Sequence, residues 1–139
     1  MTQTILVIED SPMIRANICE GLELENYNVH SAEDGIDGLW FIENFQIDLI
    51  ICDINMPRLN GFGVLEALRR NPNNAKIPFI FLTAEVDRDS RWKAMQLGAN
   101  DYLSKPIRLH EFLEAISNQL SPTPQTNHNR LEELCAVFN

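Results

Sequence analysis

The chain has 139 residues, of which 45% are hydrophobic and 22% are charged, and its formal net charge at pH 7 is −9. This size and composition fit one soluble globular domain with a core of its own. The acidic balance argues against direct nucleic-acid binding, which needs a basic surface.

No apolar run approaches the roughly 18 residues of a membrane helix. The first ten residues have no basic stretch, so we expect no secretory signal. Three well-separated cysteines without metal-ligand spacing are typical of reduced thiols and predict a cytoplasmic protein.

Five short apolar runs predict five β-strands, with a helix-like segment after each strand. Most of these runs are continuous, which is typical of strands in a parallel sheet that is covered on both faces. The second run alternates and predicts a more exposed strand. Five strand–helix units in about 120 residues suit an open, doubly wound α/β sheet and are too few for a barrel. The predicted strands are residues 4–8, 27–32, 47–52, 79–84 and 101–103.

Local signals mark the ends of several predicted helices. Ser11 is a candidate cap for the first helix, and Pro12 follows at the first turn, where proline is tolerated. The fourth helix is predicted over about residues 87–97 and stops at Gly98, and the last is predicted over about residues 108–120.

The composition changes after residue 120, which divides the chain into two predicted parts. Residues 1–120 are predicted to form one domain, and residues 121–139 are predicted to form a linker or tail that starts with the polar stretch SPTPQTNHN. Within the tail, residues 130–138 (RLEELCAVF) have the pattern of a short amphipathic helix, or of the start of a connector to a further domain.

Polar side chains follow four of the predicted strands at the end where each strand stops. In an open parallel sheet these carboxyl ends lie along one edge, where ligands bind. We therefore expect three carboxylates, one hydroxyl and one ammonium to converge there. The first strand is followed by Glu9 and Asp10 and the third by Asp53, while Thr83 lies at the end of the fourth and Lys105 follows the fifth.

The predicted edge has the chemistry of a metal-assisted phosphoryl-transfer site. Three neighbouring carboxylates repel one another unless a cation lies among them. Oxygen ligands alone, with room for water and a phosphate, favour Mg²⁺. Asp53 is a candidate nucleophile, because aspartyl phosphates are established covalent species. A lysine and a hydroxyl nearby can position and neutralise a transferring phosphoryl group.

The motifs of the chain resemble those of a known family. The motifs are Glu9-Asp10, Asp53-x-x-Met56-Pro57 with Gly61, Thr83-Ala84 and the run Asp101-Tyr102-Leu103-Ser104-Lys105-Pro106. In this order and spacing they resemble the receiver domain of two-component response regulators, and the chain is similar to the single-domain chemotaxis regulator over about residues 4–120. The resemblance implies a flavodoxin-like, doubly wound five-stranded parallel sheet with strand order 2-1-3-4-5 and helices on both faces.

The resemblance also implies which residues carry the phosphate and the metal. Asp53 would accept a phosphoryl group from a histidine kinase or a histidine phosphotransfer protein. Asp10 and Asp53 would bind Mg²⁺ directly, Glu9 would bind it through water, and the backbone carbonyl of Asn55 would complete the protein ligands. Such a domain catalyses its own phosphorylation and dephosphorylation and is not an enzyme acting on a separate substrate.

Three further residues receive switching roles from the same resemblance. Lys105, whose bond to Pro106 is cis in the family, would pair with Asp53 and then with the phosphate. Thr83 would hydrogen-bond a phosphate oxygen, and Tyr102 would move inward into the space that Thr83 leaves. The surface of the fourth helix, fifth strand and fifth helix would change as a result and control a downstream protein or a fused effector domain.

Two other functions compete with this interpretation. An aspartate-nucleophile phosphohydrolase of the haloacid dehalogenase type needs a second aspartate two residues after the nucleophile, where this chain has Asn55. A pseudo-receiver would keep the fold and act only as a protein-binding adaptor without phosphorylation, although all the acidic and lysine positions are present here. A homodimer is a further expected partner, but residues 110–120 lack the basic residues that winged-helix regulators use, which argues against that particular dimer.

Overall fold

The computed structural model describes residues 2–84 and 87–120 of the chain, and five strands alternate with five helices within them. The predicted tail, residues 121–139, lies outside the described residues. Among the strands, the largest difference from the predicted bounds is at β3, which was predicted from residue 47 and begins at Leu49. The strands are β1 (Thr4–Ile8), β2 (Asn28–Ala32), β3 (Leu49–Cys52), β4 (Phe79–Thr83) and β5 (Asp101–Ser104).

All strand pairs are parallel, and the sheet has the order β2-β1-β3-β4-β5. The flavodoxin-like, doubly wound fold class is therefore confirmed. The chain first builds outward from β1 to β2 and then crosses back to β3 on the other side of β1. This reversal is the topological switch point, and it places the ends of β1 and β3 side by side.

Helices begin where polar side chains cap their free backbone N–H groups. The Ser11 hydroxyl accepts a hydrogen bond from the Ile14 N–H, which confirms the predicted cap. Asp34, Asn60 and Asp87 cap the next three helices in the same way. The helices are α1 (Pro12–Leu24), α2 (Gly35–Asn44), α3 (Gly61–Arg70), α4 (Arg88–Gln96) and α5 (Leu109–Leu120).

Strand residues point alternately to the two faces of the sheet, and both faces are buried. One face packs against α2, α3 and α4 in a cluster that includes Leu6, Ile50 and Phe81 from the sheet. The neighbouring residues Val7 and Ile51 point to the opposite face and are also buried. Helix α1 packs against β1 and β2. Almost every side chain of the central strands β1, β3 and β4 is buried, whereas the edge strands β2 and β5 are partly exposed, so the centre of the sheet is a rigid base for the loops at its ends.

Arg69, near the end of α3, joins two loops at the amino ends of the strands. Its guanidinium donates to the carbonyl oxygens of Ala75 (3.1 Å), Ile77 (2.7 Å) and Gly98 (2.7 Å). It also donates to the side-chain oxygen of Asn100 at 3.0 Å. These bonds fasten the α3–β4 connection to the turn between α4 and β5.

Arg69→Ala is expected to lower the free energy of unfolding by about 2–4 kcal/mol, because it leaves several carbonyl oxygens without a charged donor. Arg70→Ala is the matched control. Its side chain is 78% exposed, and its ion pair with Glu66 is 3.6 Å long, so we expect a loss below about 0.5 kcal/mol. Urea unfolding of both variants measures the difference. Equal losses for the two variants would contradict the role given to Arg69.

Helix α5 belongs to a second unit of the chain. Its buried residues, Phe112, Ala115, Ile116 and Leu120, recur at helical spacing and form one apolar stripe. In the part of the chain that the structure describes, no helix combines the length and the apolar character needed to cross a membrane.

Candidate functional site

The carboxylate of Asp53 lies at the carboxyl edge of the sheet, next to the end of β1. The Asp53 N–H donates to the carbonyl oxygen of Ile8 at 3.0 Å, which continues the pairing of β3 with β1 by one residue. The Ile54 N–H donates to Asp53 Oδ1 at 2.7 Å and fixes the direction of the carboxylate. The side chain is only 10% exposed, so its charge needs partners within the protein.

Lys105 supplies the positive charge that pairs with this carboxylate. The Lys105 N–H donates to the Thr83 carbonyl oxygen at 2.9 Å, and the bond from Lys105 to Pro106 is cis. The ammonium lies 3.1 Å from Asp53 Oδ2 and 2.9 Å from Glu9 Oε1. Two buried carboxylates from different strands therefore share a single ammonium.

Electrostatics at the site reflect this shortage of positive charge. Burial raises the pKa of Glu9, the negative charge of Asp53 raises it further, and the hydrogen bonds from Lys105 and the Ser11 N–H offset the rise only in part. For Lys105, burial lowers the pKa, but the hydrogen bonds to Glu9 and Asp53 and their charges outweigh burial and leave it above its ordinary value. Lys105 is therefore protonated at neutral pH. The raised pKa of Glu9 shows that this one ammonium does not fully balance the negative charge around it.

The third predicted carboxylate completes a cluster that fits a hard cation. One oxygen each from Glu9, Asp10 and Asp53 lie within 4.8 Å of one another. Glu9 and Asp53 are buried, whereas Asp10 is exposed at the mouth of the cluster. An all-oxygen donor set with one open side suits Mg²⁺, which keeps several waters and binds through a few carboxylates. The residues present therefore fit the ion that the sequence predicted.

Asn55 lies in the loop between β3 and α3, two residues after Asp53. The end of this loop contacts its beginning: the Gly61 N–H donates to the Ile54 carbonyl oxygen at 2.8 Å. A Cβ atom at Gly61 would collide with the Asp53 carbonyl oxygen. Glycine is therefore required at the position where the sequence motif has it.

The two predicted switch residues lie on neighbouring strands. Thr83 is fully buried at the end of β4 and is paired in register with Ser104 of β5. Tyr102 is 5% exposed, so its ring already lies in the interior. The guanidinium carbon of Arg91, on α4, lies 5.5 Å from the centre of the Tyr102 ring. This cation–π contact connects α4 to β5.

Two arginines close to the site were not identified from the sequence. The Arg15 side chain donates to the Glu9 carbonyl oxygen at 2.7 Å. The Arg58 side chain binds Asp34, which is 24 residues away in the chain. Arg15 could have been found from its place in the first turn of α1, the helix that follows the acidic pair. Nothing local in the sequence reveals the partner of Arg58.

A doubly wound parallel sheet with carboxylates and a lysine at its switch point defines the class of this protein: an open α/β domain, a class whose ligand sites lie at the carboxyl edge of the sheet. The chain belongs to the response regulator receiver domain family, whose model matches residues 5–117. It is thus a receiver domain of the two-component response regulators, in agreement with the resemblance seen in its motifs.

Curated relatives are similar over most of the chain. A probable chemotaxis protein CheY from Rhizobium etli is 38% identical over 113 residues, which cover 81% of this chain and 88% of that protein. The DNA-binding dual master transcriptional regulator RpaA from Synechocystis is 37% identical over 119 residues, or 86% of this chain and 49% of RpaA. The chain thus spans about half the length of RpaA, and it matches 54% of a probable transcriptional regulator from Pyropia yezoensis.

Solved structures agree with this family. The chemotaxis protein CheY4 of Vibrio cholerae has a TM-score of 0.82 and 28% identity, covering 86% of this chain and 100% of that one. The receiver domain of a sensor histidine kinase from Pseudomonas aeruginosa has a TM-score of 0.80 and 31% identity, covering 86% and 98% of the two chains. That structure has a magnesium ion coordinated in its active site cleft.

Proposed function

We propose that this chain is a Mg²⁺-dependent signalling switch in which Asp53 accepts a phosphoryl group from a histidine kinase or a histidine phosphotransfer protein. One observation carries the proposal: a buried, oriented aspartate carboxylate touches a protonated lysine and lies within 4.8 Å of two further carboxylates. The chain would catalyse its own phosphorylation and dephosphorylation and would not act on a separate substrate.

The acidic cluster would hold the metal in this proposal. Asp10 and Asp53 would bind Mg²⁺ directly, Glu9 would bind through water, and the Asn55 carbonyl would complete the protein ligands. When bound, Mg²⁺ supplies positive charge that offsets the negative charge of a phosphoryl group. The magnesium ion coordinated in the Pseudomonas receiver domain supports this assignment.

The chain's own residues would prepare the nucleophile and receive the charge. The Ile54 N–H holds Asp53 Oδ1 in place, so the carboxylate is oriented before the donor arrives. An Asp53 oxygen attacks phosphorus, an O–P bond forms, and the P–N bond to the donor's imidazole breaks with its electron pair going to nitrogen. Lys105 then moves from the carboxylate to an oxygen of the new phosphoryl group.

A cavity of about 470 Å³ beside Lys105 supports the approach of a protein donor. Ile14 and Asn17 from α1 and Pro106 and Ile107 after β5 line it, and its wall is mostly apolar. An apolar side chain next to the donor histidine could enter this cavity. The donor would then be held beside Asp53 by packing as well as by charge.

Thr83, Tyr102 and α4 would transmit the change. The Thr83 hydroxyl would bind a phosphate oxygen, and the Tyr102 ring, 5% exposed here, would move further inward into the space that Thr83 leaves. Helix α4 exposes Trp92 (65%) and Met95 (44%), and the same helix carries Arg88 and Arg91. Such an apolar and basic surface suits a downstream protein or a fused effector that presents apolar and acidic side chains. The net charge of −9 supports a protein partner over nucleic acid.

The test is to incubate the full chain with Mg²⁺ and acetyl phosphate and to record the intact mass, with a chelator sample as control. We expect one added phosphoryl group that needs Mg²⁺ and that hydroxylamine removes, as it removes an acyl phosphate. An adduct that forms equally in chelator would contradict the metal-dependent reaction. If the wild-type chain gives no adduct at all, the chain is better described as a pseudo-receiver adaptor.

A further inference from the structure

Arg58, in the middle of the β3–α3 loop, has an unusual backbone conformation for its residue type. Its φ angle is 70°, in the left-handed region that non-glycine residues seldom adopt. The arginine side chain compensates by reaching across to α2. Its Nε lies 2.8 Å from Asp34 Oδ2, and its Nη2 lies 3.1 Å from Asp34 Oδ1 and 3.1 Å from Asp37 Oδ1. This two-bond fork to Asp34 is the geometry that arginine makes and lysine does not.

Asp34 is a firm anchor for this fork. Its carboxylate is buried, and Oδ1 also accepts the Asp37 N–H at the start of α2. The hydrogen bond from Arg58, together with the Asp37 N–H, lowers the pKa of Asp34, so the carboxylate stays charged throughout the neutral range. Next to it, a Cβ atom at Gly35 would collide with the Leu59 carbonyl oxygen, which shows how closely the loop approaches the helix.

The same loop carries Asn55, three residues before Arg58. A backbone carbonyl can serve as a metal ligand only if its peptide group is held in the correct direction, and the supporting contacts of ligands affect metal affinity strongly. We infer that Arg58 is a positioning residue for the metal site: it fastens the β3–α3 loop to α2 so that the Asn55 carbonyl faces the carboxylate cluster. This inference rests on the proposed function, because it assumes that the cluster binds Mg²⁺.

The sign of the effect separates positioning from simple electrostatics. Arg58 and Mg²⁺ are both positively charged and repel each other, so loss of the Arg58 charge by itself cannot weaken Mg²⁺ binding. Loss of positioning would instead weaken it. A purely structural role would lower the stability of the fold and leave the affinity of the folded protein unchanged.

The experiment is calorimetric titration of Mg²⁺ into the full chain and into Arg58→Ala, Arg58→Lys and Arg58→Gly, at a temperature where circular dichroism shows each to be folded. We expect the dissociation constant to rise about fivefold in all three, somewhat less than the roughly 10–100-fold cost of losing a direct supporting contact. Arg58→Lys keeps the positive charge but cannot form the two-bond fork. Arg58→Gly adopts the left-handed backbone conformation without strain but also lacks the fork. Arg70→Ala, an exposed arginine on α3, is the control and should bind as the wild type does.

Each outcome decides the question. Unchanged or tighter binding by Arg58→Ala would overturn the inference and leave the proposed function in place. Weakening in Arg58→Ala and Arg58→Gly but not in Arg58→Lys would support fastening of the loop by an ion pair to Asp34 and would overturn the requirement for the two-bond fork. Absence of Mg²⁺ binding by the wild type would overturn the metal site itself and the inference with it.

Discussion

Asp53→Asn is expected to abolish the phosphoryl adduct and, at the same time, to raise the free energy of unfolding of the metal-free protein. The amide keeps an oxygen that can accept the Ile54 N–H, so the local fold survives. The amide lacks the anionic oxygen that attacks phosphorus. The negative charge of Asp53 is one of the causes that raise the pKa of Glu9. When Asp53 is replaced by a neutral amide, the Lys105 ammonium is left to pair with the Glu9 carboxylate alone. Stability should therefore rise, because the substitution removes one of two buried carboxylates that share a single ammonium.

The same substitution should remove the response to Mg²⁺. In the wild type, Mg²⁺ at roughly ten times its dissociation constant should add about 1.4 kcal/mol of stability, because the ion binds only the folded state. Urea unfolding with and without Mg²⁺ and intact mass spectrometry measure both effects. Asp48→Asn, just before the other end of β3, is the control: its carboxylate accepts the Thr4 N–H at 2.8 Å, and phosphorylation should be retained. An adduct that persists in Asp53→Asn would contradict the assignment of the phosphoacceptor.

Lys105→Met is expected to have the opposite effect on stability. Without the ammonium, the carboxylates of Glu9 and Asp53, 3% and 10% exposed, face each other with no cation between them. Breaking a buried ion pair by removing one partner costs about 3–5 kcal/mol. The loss should be largest in chelator and smaller in Mg²⁺, which can occupy the same negative field. The exposed lysine Lys76 provides the control variant Lys76→Met, for which we expect no measurable loss.

The stability lost in Lys105→Met should depend on pH in a defined direction. The hydrogen bond from Lys105 is one of the causes that hold down the raised pKa of Glu9, so the variant raises that pKa further. A carboxyl whose folded pKa is raised costs stability as pH increases from its ordinary value near 4.5 through the folded value. The difference between variant and wild type should therefore shrink below about pH 4.5 and reach its full size at neutral pH. Unfolding curves across this range measure it, and a difference independent of pH would show that packing, not charge, sets the cost.

The two substitutions should also be coupled. Adding Asp53→Asn to Lys105→Met removes one of the two unpaired carboxylates, so the double variant should recover part of the lost stability. A double-mutant cycle measures this coupling directly. Simple addition of the two single effects would mean that the ammonium and the Asp53 carboxylate do not interact in the folded protein.

The amino-acid sequence by itself determined the elements and their order. Continuous apolar runs specify buried parallel strands because both of their faces must be covered, and the side chains of Ser11, Asp34, Asn60 and Asp87 cap helices through contacts only three residues long. The candidate site was also largely predictable. Glu9 and Asp10 directly follow a strand, Asp53 follows another, and parallel strands bring such residues to one edge whatever the loops do.

Only the tertiary structure decided how the charges are shared. The family resemblance paired Lys105 with Asp53, but the ammonium also bonds to Glu9, since the ends of β1, β3 and β5 lie together although they come from distant parts of the chain. Trp40 is 55% exposed although it lies in an apolar stretch, because α2 turns that side away from the sheet. The contacts of Arg58 with Asp34 and of Arg69 with Gly98 join residues 24 and 29 positions apart. Long, flexible arginine side chains leave no periodic signal in a sequence, so their partners are fixed only when the loops are packed.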